Sequence, residues 1–177
     1  MLKVIRVLTF VVATLVLLIG VAGLIGFTLP RHHHAASRAF FRAKPDSVWA
    51  LVGDMRRSPE GRTGIEGVKR LDDRGGHPVW ELESRGGPWA LELTRIAPPT
   101  TLVATVADTT QGYGGSWTYT IAAARGGSQV TVAEEGFVDN PLFRFLAQFV
   151  FGLRSGQQQD LRDLGRRLGE SVVPENA

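Results

Sequence analysis

Residues Val7 to Leu29 run for 23 positions without a charge, VLTFVVATLVLLIGVAGLIGFTL, with Lys3 and Arg6 before the run and Arg31 after it. At 1.5 Å per residue such a helix is roughly 34 Å long, enough to cross a hydrocarbon core of about 30 Å. The run exceeds the apolar region of a cleaved signal peptide, about 7–15 residues, so it reads as a retained anchor over residues 1–30. A chain that begins this way must confine the rest of its fold to a membrane surface. Ala22 and Gly26 form a small-xxx-small pair, a spacing that lets two such helices approach in a weak homodimer.

Orientation follows from the flanking charges. Arg31, Arg38, Arg42 and Lys44 outnumber Lys3 and Arg6, which leans the soluble part towards the cytoplasm. A short basic N-terminus retained inside argues the other way. The chain has no cysteine, which excludes a disulfide framework and thiol chemistry but fits either compartment.

Net charge is +3, and setting Lys3 and Arg6 aside leaves 18 basic against 17 acidic residues. No Lys/Arg cluster interleaved with aromatics occurs, so the electrostatic footprint of a nucleic-acid binder is missing. No cofactor or metal motif stands out. His32, His33 and His34 are consecutive, so their side chains diverge, and His77 sits in a turn; neither set makes a ligand cluster by spacing. Gly112-Tyr113-Gly114-Gly115 precedes a strand rather than a helix and reads as a flexible loop, with Tyr113 placed to gate a pocket.

Beyond a juxtamembrane linker at 31–36, one domain is expected over 37–173, with a tail at 174–177. A strand over Ser37–Ala43 leads into a helix capped by Asp46 or Ser47. From Ile65 to Val138, six short alternating runs are separated by turns rich in Gly, Pro and Asp, the pattern of an antiparallel meander. Trp117, Tyr119 and Ile121 share one face of their strand, as do Trp89, Leu91 and Leu93, and Trp80 and Leu82. A sheet with one apolar face needs a cover. Asn140-Pro141 opens a helical pattern that supplies it: Leu142, Phe145, Leu146, Phe149 and Leu153, resuming at Leu161, Leu164, Leu168 and Val172. Arg154, Asp163, Arg166, Arg167 and Glu170 fall on the opposite, solvent face of this long, kinked helix.

The order strand, short helices, six strands, long helix resembles the helix-grip fold of the START-like or SRPBCC superfamily, the polyketide cyclase/dehydrase and lipid-transport group. The resemblance rests on the Phe41–Trp49 segment, Ser58-Pro59-Glu60, Gly115-Ser116-Trp117-Thr118-Tyr119 and Asn140–Phe145, and covers about residues 37–170. It implies an α+β fold of about seven antiparallel strands wrapped around a C-terminal helix. It also implies a pocket between them that different members use for lipids, sterols or aromatic polyketides, and a minority for catalysis. Where many members place an aromatic residue after the Pro-Glu pair, beneath the pocket mouth, this chain has Gly61.

In such a pocket the lining candidates are Trp80, Trp89, Leu91, Leu93, Trp117, Tyr119, Glu134, Phe145 and Phe149. The expected partner is a hydrophobic small molecule or lipid. A cyclase-like enzyme would need a positioned acid or base, for which only Glu134 and Tyr119 offer themselves, unpaired in sequence. A domain with a filled core is the third reading, because large apolar residues at strand spacing usually pack. Alternation carries Glu134 inward, where a carboxylate needs a partner. Gly136 favours instead a bulge that turns Glu134 and Glu135 to solvent. The apolar excess over Phe143–Leu153 suits a lid, a partner surface or the bilayer equally.

Overall fold

The computed structural model describes residues 2–177. The uncharged run forms α1, Leu2–Thr28, long and apolar enough to cross a membrane. Only three residues then intervene before β1, His32–Phe41. The segment expected as a linker is therefore mostly strand, and extended residues 29–31 reach only roughly 10 Å.

Helix α2, Pro45–Val52, starts two to three residues earlier than its sequence suggests. Lys44 is the cap position and Pro45 occupies the first turn, where its missing N–H costs no bond, so neither Asp46 nor Ser47 caps. A single 3-10 turn follows at Met55–Arg57. The meander then runs through β2 (Ile65–Arg74), β3 (His77–Ser84), β4 (Trp89–Ala97), β5 (Thr101–Val106), β6 (Tyr113–Ala124) and β7 (Gly127–Val138). β1 closes the far side against β7, and a two-residue β8, Glu175–Asn176, adds to β1 in what was expected to be tail. The sheet order is β2-β3-β4-β5-β6-β7-β1-β8, antiparallel throughout. Register shifts in the β2–β3 and β4–β5 pairs are the bulges that let the sheet curve.

The expected long C-terminal helix is two helical pieces. α3, Pro141–Leu146, is capped by the Asn140 side chain, which accepts from the N–H groups of Leu142 and Phe143, and it widens into a π turn over Ala147–Phe151. Gly152 then takes φ 78°, a conformation a helix does not admit and other residues resist, and the chain turns into α4, Ser155–Arg167. Helix α4 lies over β1 and β7, where the fold requires it, but α3 packs mainly on α1 and meets the sheet only at β7.

At that joint Gly26 is fully covered, and a methyl placed on it would sit 1.8 Å from the Pro141 carbonyl oxygen. The small surface that suggested a contact between two copies is thus occupied from within the chain at Gly26. Arg144 Nη1 donates to the Leu29 carbonyl at 2.8 Å, and Arg31 forms an ion pair with Asp139, tying the end of α1 to the start of α3.

The core has two lobes. Phe41, Val48, Leu51, Ile121, Val130, Val132, Leu161 and Leu164 pack where α2 and α4 meet β1, β6 and β7. Met55, Leu82, Leu91, Leu93, Leu102, Ala104 and Val106 pack on the β2–β5 half. Trp49, Val52, Trp117 and Tyr119 touch both, so the seam between the lobes is where a cavity can persist.

Gly26→Ala should lower the melting temperature of the full chain in detergent, because the overpacking cost of about 1–3 kcal/mol outweighs the gain in helix propensity of about 1 kcal/mol. Gly23→Ala, whose methyl meets nothing within 4 Å, should leave it unchanged or raised.

Candidate functional site

The seam holds a cavity of about 50 Å³. Its apolar wall comes from Leu51, Val52 and Met55 below, Leu91, Leu102, Ala104, Trp117 and Val132 on the sheet, and Leu161 and Leu164 on α4. Its polar end is made by Arg62, Tyr119 and Asp160, with Arg167 and Ser58 beside them.

Tyr119 reaches this end because strand alternation places it inward, two residues from Trp117 on β6. Its hydroxyl donates to Asp160 Oδ2 at 2.7 Å. Arg62 grips the same carboxylate with two bonds, Nε to Oδ1 at 3.1 Å and Nη2 to Oδ2 at 3.0 Å. Burial and the adjacent Asp160 carboxylate push the Tyr119 phenol well above its ordinary range, so it stays a donor. Burial opposes the charge on Arg62, but the carboxylates of Asp160 and, further off, Asp163 offset it and hold the guanidinium protonated.

Arg62 is held in place by its neighbour. The Thr63 N–H and hydroxyl donate to Asp163 at 2.6 and 3.1 Å, and Gln159 Nε2 donates to the same carboxylate at 2.6 Å. Asp163 is thus buried with its oxygens satisfied, rather than on the solvent face the helical pattern assigns it. Glu170, expected on that face too, accepts from the N–H groups of Arg42 and Ala43 at 2.8 and 2.9 Å and pins the end of β1 to the segment after α4.

Arg167 is the remaining cation at the cavity. Its stem packs over Gly61, in the space an aromatic residue after the Pro-Glu pair would need. Its Nη2 donates to the Arg57 carbonyl at 3.0 Å, its Nε is buried with no partner, and among the described residues no carboxylate pairs with it. Burial, then the nearby Arg57 charge, lowers its pKa.

A second polar cluster sits one step along the same strands. Glu134 pairs in register with Trp117 and with Ala35, and the ladder runs on through Gly136 without a bulge. Glu134 therefore points inward, contrary to the bulge the glycine suggested, and is satisfied there. It accepts from Trp117 Nε1 at 3.0 Å and from Gln157 Nε2 at 2.5 Å, and His33 Nε2 lies 3.2 Å away. Gly136 serves close approach instead: a methyl there would come within 2.6 Å of the His33 ring.

Of the nine lining candidates, Leu91, Trp117 and Tyr119 face the cavity. Leu93 is buried in the neighbouring lobe, and Trp89 stacks edge-on against Trp117 with ring centroids 5.7 Å apart. Trp80 is half-buried under the guanidinium of Arg70, 5.3 Å from its ring. Glu134 stands behind Trp117, holding its indole. Phe145 and Phe149 stack on each other at 5.1 Å, on the segment that packs against α1, and neither lines the cavity. Arg62, Asp160, Asp163 and Arg167 are the charged residues of the cavity, and none of them was a lining candidate in the sequence. The only signal for them was a polar loop opposite a helix whose acids recur three residues apart.

The sequence profile of the family described as polyketide cyclase/dehydrase and lipid transport matches residues 32–169. Among solved structures, the chain is similar to the Zhui aromatase/cyclase of a Streptomyces species, with 14% identity, 75% of this chain and 91% of that one covered, and a TM-score of 0.62. It is also similar to a norcoclaurine synthase of Thalictrum flavum, at 9% identity, 77% and 94% coverage and a TM-score of 0.61. A third likeness is Ara h 8.0201, at 16% identity, 78% and 99% coverage and a TM-score of 0.55. These identities carry the helix-grip fold and no more. No curated protein matches the sequence.

Two measurements test the polar end. Asp160→Ala should destabilise the chain by about 3 kcal/mol in denaturant unfolding, the low end for a buried charge left unpaired, since both side chains keep a fifth of their surface in water. In Tyr113→Phe, which leaves Tyr119 as the only tyrosine, no phenolate absorbance should develop as pH passes about 10 until the chain unfolds. The folded state keeps a proton that the unfolded chain releases, so stability should fall as pH rises above about 10, and Tyr119→Phe should lack that part of the slope.

Proposed function

The chain belongs to the polyketide cyclase/dehydrase and lipid transport family, and on that premise we propose that it is a single-pass membrane-anchored domain that binds a hydrophobic small molecule or lipid. The bound molecule would lie between the sheet and α4. The observation that carries this reading is the cavity at the seam, apolar on all sides but one, with Arg62, Tyr119 and Asp160 closing the polar end. An amphiphile would place its apolar body against Leu91, Leu102 and Trp117. An anionic head would meet Arg167, the cavity cation that has no carboxylate partner among the described residues.

Volume sets the condition. About 50 Å³ holds a few waters, whereas pockets for drug-sized ligands are roughly 300 Å³ or more. Binding therefore requires α4 and the 58–64 segment to part from the sheet. The same observation favours a second reading, a filled-core domain whose aromatics only pack. Catalysis is less well supported: Tyr119 is held protonated well above neutral pH, and both oxygens of Asp160 are taken by Arg62 and Tyr119, so no free acid or base faces the cavity from this cluster.

The readings separate by what the full chain carries. Small molecules extracted from detergent-washed protein and identified by mass spectrometry should include one chemical class. Ala104→Leu, which fills the cavity with three carbons, should deplete that class several-fold at equal folded fraction. The same extract from both proteins would mean the core is filled and binds nothing.

A further inference from the structure

α3 and its π turn, Pro141–Phe151, make an apolar helix of eleven residues that covers neither the sheet nor the cavity. Phe143, Phe149, Val150 and Phe151 are each 59–63% exposed, four large apolar side chains left open on a segment too short to cross a bilayer. The face opposite them is committed, because α3 packs on α1 and a methyl on Gly26 would meet Pro141.

That contact sets a depth. Gly26 lies three residues before the end of the uncharged run at Leu29, and the half-buried Ala22 lies seven. Along a helix these are about 4–10 Å inside the run's end, which is the depth, about 5–10 Å, at which amphipathic helices rest among headgroups and upper acyl chains. A helix docked at that level on a spanning helix shares its solvent. The joint is also built for low polarity: Arg144 satisfies the Leu29 carbonyl, and Arg31 is paired with Asp139, so the turn from α1 exposes fewer unpaired groups to lipid.

We propose that Pro141–Phe151 is a second membrane element, an in-plane helix half-sunk in the bilayer interface and clamped to α1, with lipid as the occupant of its exposed phenylalanine face. The proposal rests on reading α1 as a membrane span. It explains why the expected long helix breaks at Gly152: the apolar half stays with the lipid while the mixed half, α4, grips the sheet.

The test uses the absence of native cysteine. Single cysteines at Val150, at Leu15 within α1 and at Arg125 in the β6–β7 turn, at the other end of that hairpin, are labelled with an NBD fluorophore in the full chain. The labelled proteins are reconstituted in phosphatidylcholine vesicles with and without lipid carrying a nitroxide near the top of the acyl chain or near its end. The label at Val150 should emit to the blue of that at Arg125 and lose several-fold more fluorescence to the shallow nitroxide. The label at Leu15 should respond most to the deep one. If Leu15 responds and Val150 behaves like Arg125, the segment is outside the lipid and the proposal is overturned with the anchor intact. A Val150 label shielded from aqueous iodide but untouched by either nitroxide would mean that protein, such as a second copy, covers the face. Failure of Leu15 to respond would remove the spanning helix and the proposal with it.

Discussion

The uninterrupted pairing of β1 with β7 is the constraint from which the rest of the arrangement follows. Ten register pairs run from His32 opposite Phe137 to Phe41 opposite Ser128. Because β1 begins three residues after α1, this ladder delivers the end of α1 to the end of β7, from which α3 departs two residues later. The contact of Gly26 with Pro141, and the bonds of Arg144 and Arg31 across the joint, are consequences of that placement. A free linker would have left the two helices with no reason to meet. Proximity imposed by the sheet makes their packing almost free of the loop-closure entropy it would otherwise cost.

Within the grip itself the specificity comes from charge. Four buried or half-buried carboxylates, Glu134, Asp160, Asp163 and Glu170, each accept hydrogen bonds from elements distant in sequence. Replacing such groups with well-packed apolar ones is often tolerable, but losing one partner is not, so each network penalises every alternative placement of α4 and of the 58–64 loop. These networks also occupy space. They reduce the seam between the two core lobes to a small cavity whose one loosely committed group is Arg167. The domain thus has the chemistry of a ligand site and, in this conformation, little of its volume.

Legibility tracked how local the governing interaction is. The inward faces of β4 and β6 were readable because alternation is a property of a strand alone, and Leu91, Trp117 and Tyr119 do face the seam. Asn140-Pro141 was readable as a helix start, because capping involves only the next few residues. Glu134 was misread because a glycine two residues on is a local cue for a bulge, whereas the partners that hold the carboxylate inward come from β1, β6 and α4. Asp163 and Glu170 were placed in solvent for the same reason: helical periodicity sorts residues by polarity and cannot see the Thr63, Arg42 and Ala43 amides that make burial acceptable. Phe145 and Phe149 have the right spacing to cover a sheet, and they follow a helix that goes elsewhere.

The sequence by itself determined a 23-residue uncharged run of helical character, a meander of six antiparallel strands and a strand-first, helix-last order that belongs to the helix-grip fold. Those features rest on length, periodicity and turn chemistry, which act within a few residues. Only the tertiary structure decided that α1 passes straight into the sheet, that the last helix divides at Gly152 between α1 and the grip, and that Arg62, Tyr119 and Asp160 meet at one end of the cavity. Each of those outcomes joins residues about 40 to more than 100 positions apart. Their energies depend on burial and partner geometry that no local pattern encodes.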